Sequence, residues 1–316
     1  MSVAPSERWD PERLPSQAGR TAVVTGANAG LGFFTSLQLA RAGARVVLAC
    51  RDEKRAANAR AAIRRAVTGA QVDVVRLDTA DLSSVREAAG ELSRLDRLDV
   101  LITNAGAVHP PRGRTVTADG LELVGATNHF GHFALVGGVL DVLERTPGAR
   151  VVTLGSIATR LVRLDVDDLQ LERRYTGWRA YAQSKIMAWS FGLELDRRLR
   201  ASGRGTRALV AHPGYSITGR TPIVRGVNEP GVGQRFVDNL QASFTQGKDR
   251  GAWPTVRAAI DPAADGGESF GPRYLVKGAP VRETPAGVVR DRATAAAIWA
   301  ESERATGAPL LPLSPH

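Results

Sequence analysis

The chain has 316 residues, 43% of them hydrophobic and only 5% aromatic, so aliphatic side chains must build what can be a large core. Cys50 is the only cysteine, which excludes an intrachain disulfide and a cysteine metal cluster and suits a reducing, cytoplasmic location. The formal net charge of +10 is interleaved with acids, as in Arg51-Asp52-Glu53-Lys54-Arg55, and reads as a solvated arginine-rich surface rather than a nucleic-acid platform.

Residues 1–19 are polar, contain Pro5, Pro11 and Pro15, and read as an arm packed on the surface. They lack the basic-then-apolar order of a secretory signal. No stretch approaches the roughly 18 apolar residues of a membrane span. Thr21–Thr25 (TAVVT) is a short apolar run that reads as a buried parallel strand. It opens into Gly26-Ala27-Asn28-Ala29-Gly30-Leu31-Gly32, and a helix through Leu37, Leu39 and Ala40 follows, stopped by Gly43. Strand, glycine turn and helix together make a dinucleotide phosphate site. Glycines let the backbone approach a pyrophosphate, and the helix N-terminus offers free N–H groups. Gly26, Asn28, Gly30, Leu31 and Gly32 are its candidate contacts. The same spacing also suits an ordinary tight turn.

A second strand, Ala44–Cys50, ends at Cys50-Arg51-Asp52. An acid at such a strand end binds the ribose 2′-hydroxyl of NAD, whereas an arginine accommodates the 2′-phosphate of NADP. Arg51 therefore points to NADP(H), with NAD(H) kept open by Asp52; Arg51 could instead pair with the helix starting near Glu53. Helix Glu53–Val67, strand Val72–Leu77, helix Leu82–Leu95 and strand Leu98–Thr103 follow. This alternation predicts a Rossmann-type, doubly wound parallel sheet, an α/β fold of three layers (α/β/α) with ligands at the carboxyl ends of the strands. Those ends read Gly26, Arg51, Asp78-Thr79 and Asn104-Ala105-Gly106. Asp78 could accept from an adenine amino group or cap the next helix.

Leu121–Leu143 reads as a long helix interrupted by Asn128-His129 and Gly131-His132. The two histidines lack further ligands nearby and read as structural, with no metal expected. Strand Ala149–Leu154 ends at Gly155-Ser156, without the second glycine of a hydrolase elbow, so Ser156 is better suited to donate to a substrate oxygen. Tyr181 and Lys185, in YAQSK, lie four apart on one helix face. An ammonium beside a phenol, whose pKa is ordinarily about 10, favours the phenolate and makes a general acid or base nearer neutral pH. Strand Thr206–Ala211 ends at His212-Pro213-Gly214.

Together these motifs resemble the short-chain dehydrogenase/reductase family. They are Thr25-Gly26-x-x-x-Gly30-x-Gly32, Asn104-Ala105-Gly106, Asn128, Ser156, Tyr181-x-x-x-Lys185 and Pro213-Gly214, in order across residues 20 to 218. The phrases NHFGHFALV, WRAYAQSK and WAESERATG resemble its retinol-dehydrogenase-like branch. The resemblance implies that Tyr181 transfers a proton to or from the substrate oxygen and that Ser156 hydrogen-bonds it. It implies that Lys185 holds the nicotinamide ribose and lowers the tyrosine pKa, while Asn128 holds a helix distortion and a water linking Lys185 to solvent. The stretch after Pro213-Gly214 would hold the carboxamide through main chain, with Ser216 where valine is common and Thr218 near the phosphates. Cys50 takes the place of the NAD-selecting acid. Helices carrying Asn128 and Tyr181 form subunit contacts in many relatives, which implies a homodimer or homotetramer.

Residues 219–271 have weak periodicity, with helices at Val232–Phe244 and Trp253–Ile260, and would form a mobile substrate lid shaped by Pro222 to Phe244. A last strand, Phe270–Val276, a last helix, Arg292–Arg304, and a frayed tail over residues 309–316 complete a single domain spanning residues 20–308. The expected protein is an NADP(H)-dependent oxidoreductase for a small-molecule alcohol/carbonyl pair. A non-catalytic dinucleotide sensor or scaffold, and more remotely a nucleic-acid-binding protein, are the rivals.

Overall fold

The computed structural model describes residues 9–311, so the ends of the expected arm and tail lie outside the described residues. Strand β1 (Thr21–Thr25) is buried along its whole length. Its side chains alternate between two cores. Ala22 and Val24 join Phe33, Leu37 and Val46 on one face, while Val23 joins Leu101, Phe133 and Val151 on the other. Helix α1 (Gly30–Arg41), β2 (Arg45–Cys50), α2 (Glu53–Ala66), β3 (Val72–Arg76), α3 (Leu82–Leu92) and β4 (Val100–Thr103) continue the alternation. Local chemistry sets their ends. Asp52 caps α2 by accepting from the Arg55 N–H at 2.9 Å, and Ala56, Ala59, Ala62 and Ile63 recur at helical spacing to face the core. Asp81, not Asp78, caps α3.

The second half holds α4 (Leu123–Gly125), a π-turn (Ala126–Phe130), α5 (Gly131–Glu144), β5 (Arg150–Leu154), a 3-10 turn (Ile157–Arg160), α6 (Gly177–Ala201) and β6 (Arg207–Ala211). Then β7 (Ser216–Ile217) and β8 (Gln246–Gly247) pair in a separate two-stranded sheet, with α7 (Val232–Asn239) between them in sequence. The chain ends with α8 (Lys248–Gly251), α9 (Trp253–Ile260), β9 (Ser269–Pro272), β10 (Pro280–Glu283), α10 (Gly287–Arg290) and α11 (Arg292–Thr306).

The main sheet has eight strands in the order β10-β9-β6-β5-β4-β1-β2-β3. Its pairs are parallel except β9–β10. This is the doubly wound three-layer fold the alternation predicts, with three differences. The expected last strand stops at Pro272, and the chain turns back to add β10 antiparallel at the edge. Of residues 219–271, α9 is buried against the sheet and β9 belongs to it, so only the stretch before α8 lies outside the core. The start of the tail is not frayed: Leu310 and Leu311 are buried, and the Leu311 carbonyl accepts from Arg198 at 3.1 Å.

Helix α11 packs across α5 and α6. Trp299 stacks near Phe133 and Phe191, and Ser302 meets His129 at 2.7 Å. The face of α5 and α6 under α11 is thereby covered from within the chain, so the expected homodimer or homotetramer would have to use another surface. No helix among the described residues is long and apolar enough to cross a membrane.

Candidate active site

Thr176 caps α6 by accepting from the Arg179 N–H at 3.1 Å, which fixes where the helix begins beside the end of β5. The Tyr181 hydroxyl donates to Ser156 Oγ at 3.3 Å. One turn on, the buried Lys185 amine donates to the Leu154 carbonyl at 3.0 Å. Asn128 lies in the π-turn, the helix distortion that the resemblance implies. Its Oδ1 accepts from the Ala107 N–H at 2.6 Å, and its amide donates to Ser184 Oγ at 2.9 Å. The Ser184 hydroxyl in turn donates to the Tyr181 carbonyl at 2.7 Å. Asn128 thus braces the Tyr181 turn from outside α6. A Cβ on Gly106 would lie 3.2 Å from Asn128 Oδ1 and 3.7 Å from Lys185 Nζ, so the absent side chain leaves room at the centre of the group.

The electrostatics differ from expectation. Burial raises the Tyr181 pKa above its ordinary value, partly offset by the Ser156 bond. The Lys185 amine is not among the causes. It is itself pushed down to about 8 by burial and is engaged by a backbone carbonyl. The lowered phenol expected from the YAQSK spacing is therefore corrected: sequence spacing gives proximity along the helix, not the direction in which the amine points.

His132 joins this group to the glycine turn. Its Nε2 lies 2.9 Å from the Thr25 hydroxyl and its Nδ1 lies 3.3 Å from the Asn128 carbonyl. The Asn128 carbonyl can only accept, which assigns the ring proton to Nδ1, so Nε2 accepts from the Thr25 hydroxyl, whose oxygen also accepts from the Ala105 N–H at 2.8 Å. Burial lowers the His132 pKa to about 4, and the ring is neutral.

At the turn, Gly26 has φ of 64° and Gly30 of 57°, and a Cβ on Gly26 would fall 2.8 Å from Ala105 Cα. The Asn104 amide donates to the Thr25 carbonyl at 2.7 Å and fills the space beside Gly32. Ala29, the α1 N-cap, supplies no side-chain acceptor, and the first turn carries no acid. The leading N–H groups of α1 thus lack a side-chain cap, which fits a dinucleotide pyrophosphate. Asn28 and Leu31 lie partly exposed on the same turn.

Arg51 is largely exposed at the end of β2, 3.6 Å from Asp78 rather than paired with α2. Asp78 also accepts from the Ala80 N–H at 3.0 Å. Burial raises the Cys50 thiol to about 11, so it brings no negative charge beside Arg51. Thr79 is buried with its carbonyl against Gly131, a packing position rather than an open one.

At the end of β6, Pro213 and Gly214 (φ 64°) turn the chain. The Ser216 hydroxyl donates to the Pro213 carbonyl at 2.8 Å, so its side chain is used locally, and Thr218 opens a 3-10 turn. Sequence reasoning missed Ser184 and Trp178, and read His132 as structural without its link to Thr25 and Asn128. Ser184 was visible inside YAQSK itself; Trp178, half exposed with its ring 6.3 Å from that of Tyr181, stood just before it.

The stretch outside the core carries apolar side chains outward. On α7, Val232 is 87%, Phe236 67% and neighbouring Leu240 72% exposed. The buried residue of α7 is Asp238, which accepts from the Gly219 N–H at 2.6 Å.

The profile of a family described as short chain dehydrogenase matches residues 20–225. Human retinol dehydrogenase 13 is 35% identical, the match covering 93% of this chain and 87% of the relative. Mouse polyprenol dehydrogenase is 37% identical, with 94% and 87% covered. Among solved structures, an uncharacterised protein of Mycobacterium paratuberculosis superposes with a TM-score of 0.78 at 38% identity, covering 96% of this chain and 99% of that one. A Beutenbergia cavernae protein, described as NAD(P)-dependent gluconate 5-dehydrogenase and solved with NADP at low occupancy, superposes at 0.61 and 26% identity, with 81% and 96% covered.

Proposed function

Since the chain belongs to the short-chain dehydrogenase/reductase family, in its retinol-dehydrogenase-like branch, and is an NAD(P)-dependent oxidoreductase of CH–OH and C=O groups, we propose that it prefers NADP(H) and uses Tyr181 as its general acid and base. The observation that carries this is the Tyr181 hydroxyl held on Ser156, with the buried Lys185 amine one helical turn on, at the Leu154 carbonyl. When bound, the nicotinamide supplies or accepts the hydride. Tyr181 gives its proton to the substrate oxygen in reduction and takes it back in oxidation, and Ser156 donates to the same oxygen. A phenol whose pKa burial raises is protonated at neutral pH and so holds the proton it gives in reduction. Lys185, now on the Leu154 carbonyl, would hold the nicotinamide ribose, and Asn128 keeps the Tyr181 turn in register through Ser184.

Gly26, Asn28, Gly30, Leu31 and Gly32 hold the pyrophosphate, with Asn104, Ala105 and Gly106 beneath the dinucleotide. Arg51 pairs with the 2′-phosphate by swinging from Asp78, which the neutral Cys50 does not oppose. Asp78 would flank the adenine, with Thr79 packed behind it, and Pro213, Gly214, Ser216 and Thr218 would offer main chain, and Thr218 its hydroxyl, to the nicotinamide half. The relatives' names and the outward apolar side chains of α7 support an extended apolar alcohol or carbonyl compound as substrate.

Affinities of NADPH and NADH for Arg51→Ala test the cofactor choice. A loss of about thirtyfold for NADPH, with NADH nearly unchanged, is expected from one charge-assisted phosphate contact. Equal losses for the two would remove it. A panel of carbonyl compounds and alcohols, followed by absorbance of the reduced cofactor, tests the substrate class; a preference for short polar substrates would overturn it.

A further inference from the structure

Lys248 opens α8, immediately after the short β7–β8 pair, and its side chain runs back over the glycine turn. Its Cδ lies 3.4 Å and its Nζ 3.6 Å from the place where a Cβ on Gly30 would be. The amine therefore lies at the N-terminus of α1, where the leading N–H groups have no side-chain cap. Nothing from the chain neutralises it there: among the described residues Nζ donates no hydrogen bond and joins no ion pair, the hydrogen bond at this residue being made by its backbone N–H to Thr221 Oγ1 at 2.9 Å. Asp238 is the acid whose charge reaches it, and that carboxylate is already occupied by the Gly219 N–H and the Gln234 amide. A half-buried ammonium beside uncapped helix N–H groups concentrates positive potential that the distant, already engaged Asp238 offsets only in part and an added anion would offset directly.

The lysine is not on a loose loop. The Gln38 amide of α1 donates to the Asp249 carbonyl at 3.0 Å, and Gly251 packs against Leu31. Behind Lys248, the Thr221 hydroxyl and the Gln246 amide, which donates to the Pro213 carbonyl at 2.9 Å, tie the segment to the end of β6. One side chain thus connects the stretch that carries α7 to the turn that faces the dinucleotide phosphates.

We propose that Lys248 is a pyrophosphate ligand contributed from outside the Rossmann core, so that dinucleotide binding fastens the 216–251 segment, and with it the substrate cover, onto the glycine turn. This rests on the dinucleotide site proposed above. Calorimetric titration of the full chain separates the two. NADPH and 2′-phospho-ADP-ribose carry the pyrophosphate; adenosine 2′-monophosphate keeps the 2′-phosphate and lacks it. Lys248→Met should weaken the first two about tenfold, the size of one charge-assisted contact, leave the third within about twofold, and melt as cooperatively as the wild type, with Lys248→Arg restoring most of the loss. NADPH should also slow tryptic cleavage after Arg225 and Arg235 in the wild type and not in Lys248→Met. Unchanged NADPH affinity in Lys248→Met, tighter binding, or an equal loss for adenosine 2′-monophosphate would each overturn the assignment. A wild-type chain that binds no dinucleotide would instead sink the site itself.

Discussion

Helices α6 and α7 break the rule of apolar inside and polar outside in opposite senses. Helix α6 buries Gln183, Ser184, Lys185, Glu194, Asp196 and Arg198 among its apolar residues. Each of these finds a partner: Gln183 on the Asp168 carbonyl, Ser184 on Asn128, Lys185 on Leu154, Glu194 on Arg198. Helix α7 buries one carboxylate and turns Val232, Phe236 and Val237 outward, with Leu240 exposed just beyond its end. The paired groups make a rigid, pre-organised site, although Gln183 Oε1 and the buried Ser190 hydroxyl of the same helix lack partners, whereas α7 leaves apolar surface open to solvent. The fold keeps its rigid irregularity in the core layer and its unfinished one outside.

Substitutions can break that contrast. The largest effect is expected from Tyr181→Phe, which keeps the packing and removes the proton. The turnover rate should fall by at least about a thousandfold while NADPH affinity stays within about twofold. Substantial residual hydride transfer would return α6 to a structural role. Asn128→Ala comes next. Removing the amide leaves the Ala107 N–H without its acceptor and Ser184 without its donor, and should cost about 2 kcal/mol of stability as well as most of the rate. A stable, slow variant would instead confine Asn128 to the reaction.

Lys185→Met sharpens the difference through pH. The amine titrates at about 8 in the fold against 10.5 in the unfolded chain. Burial therefore penalises the charged form: the penalty is full below pH 8 and fades as pH rises to 10.5. Melting of the cofactor-free proteins should show Lys185→Met more stable than the wild type at pH 7, by on the order of 1–3 kcal/mol, with the gap closing as pH approaches the unfolded value. A less stable variant at pH 7 would mean that the Leu154 hydrogen bond outweighs desolvation. The smallest stability change belongs to α7. Phe236→Ser with Leu240→Ser should leave the stability within about 0.5 kcal/mol of the wild type, because both residues are largely exposed. KM for long apolar substrates should nonetheless rise severalfold and kcat should hold. Loss of kcat with unchanged KM would take α7 away from the substrate.

Much of the core layer was legible because its signals are local. TAVVT and its successors are buried runs, and Tyr181 and Lys185 share a face by spacing alone, although the sequence suggests Asp78 for the α3 cap that Asp81 makes. What stayed hidden depends on distant partners. The polar break at Asn128 was visible, but its π-turn is held by Ala107 and Ser184, remote in sequence. Strand β10 (PVRE) is short and charged, and becomes a strand only by pairing with β9. Leu310 and Leu311 show no period, yet a gap beside Arg198 and α5 receives them. Spacing could not reveal the direction of the Lys185 amine, and the phenol's raised pKa follows from that direction and from burial.

Trp178 gives the chain a built-in optical reporter. Its indole is half in water, one ring away from Tyr181, while Trp189 and Trp299 are enclosed in protein. Trp9 and Trp253 are also partly buried, but Trp178 is the most exposed indole and the one beside the phenol, so a blue shift that is lost in Trp178→Phe would register substrate arrival before any turnover, without a label.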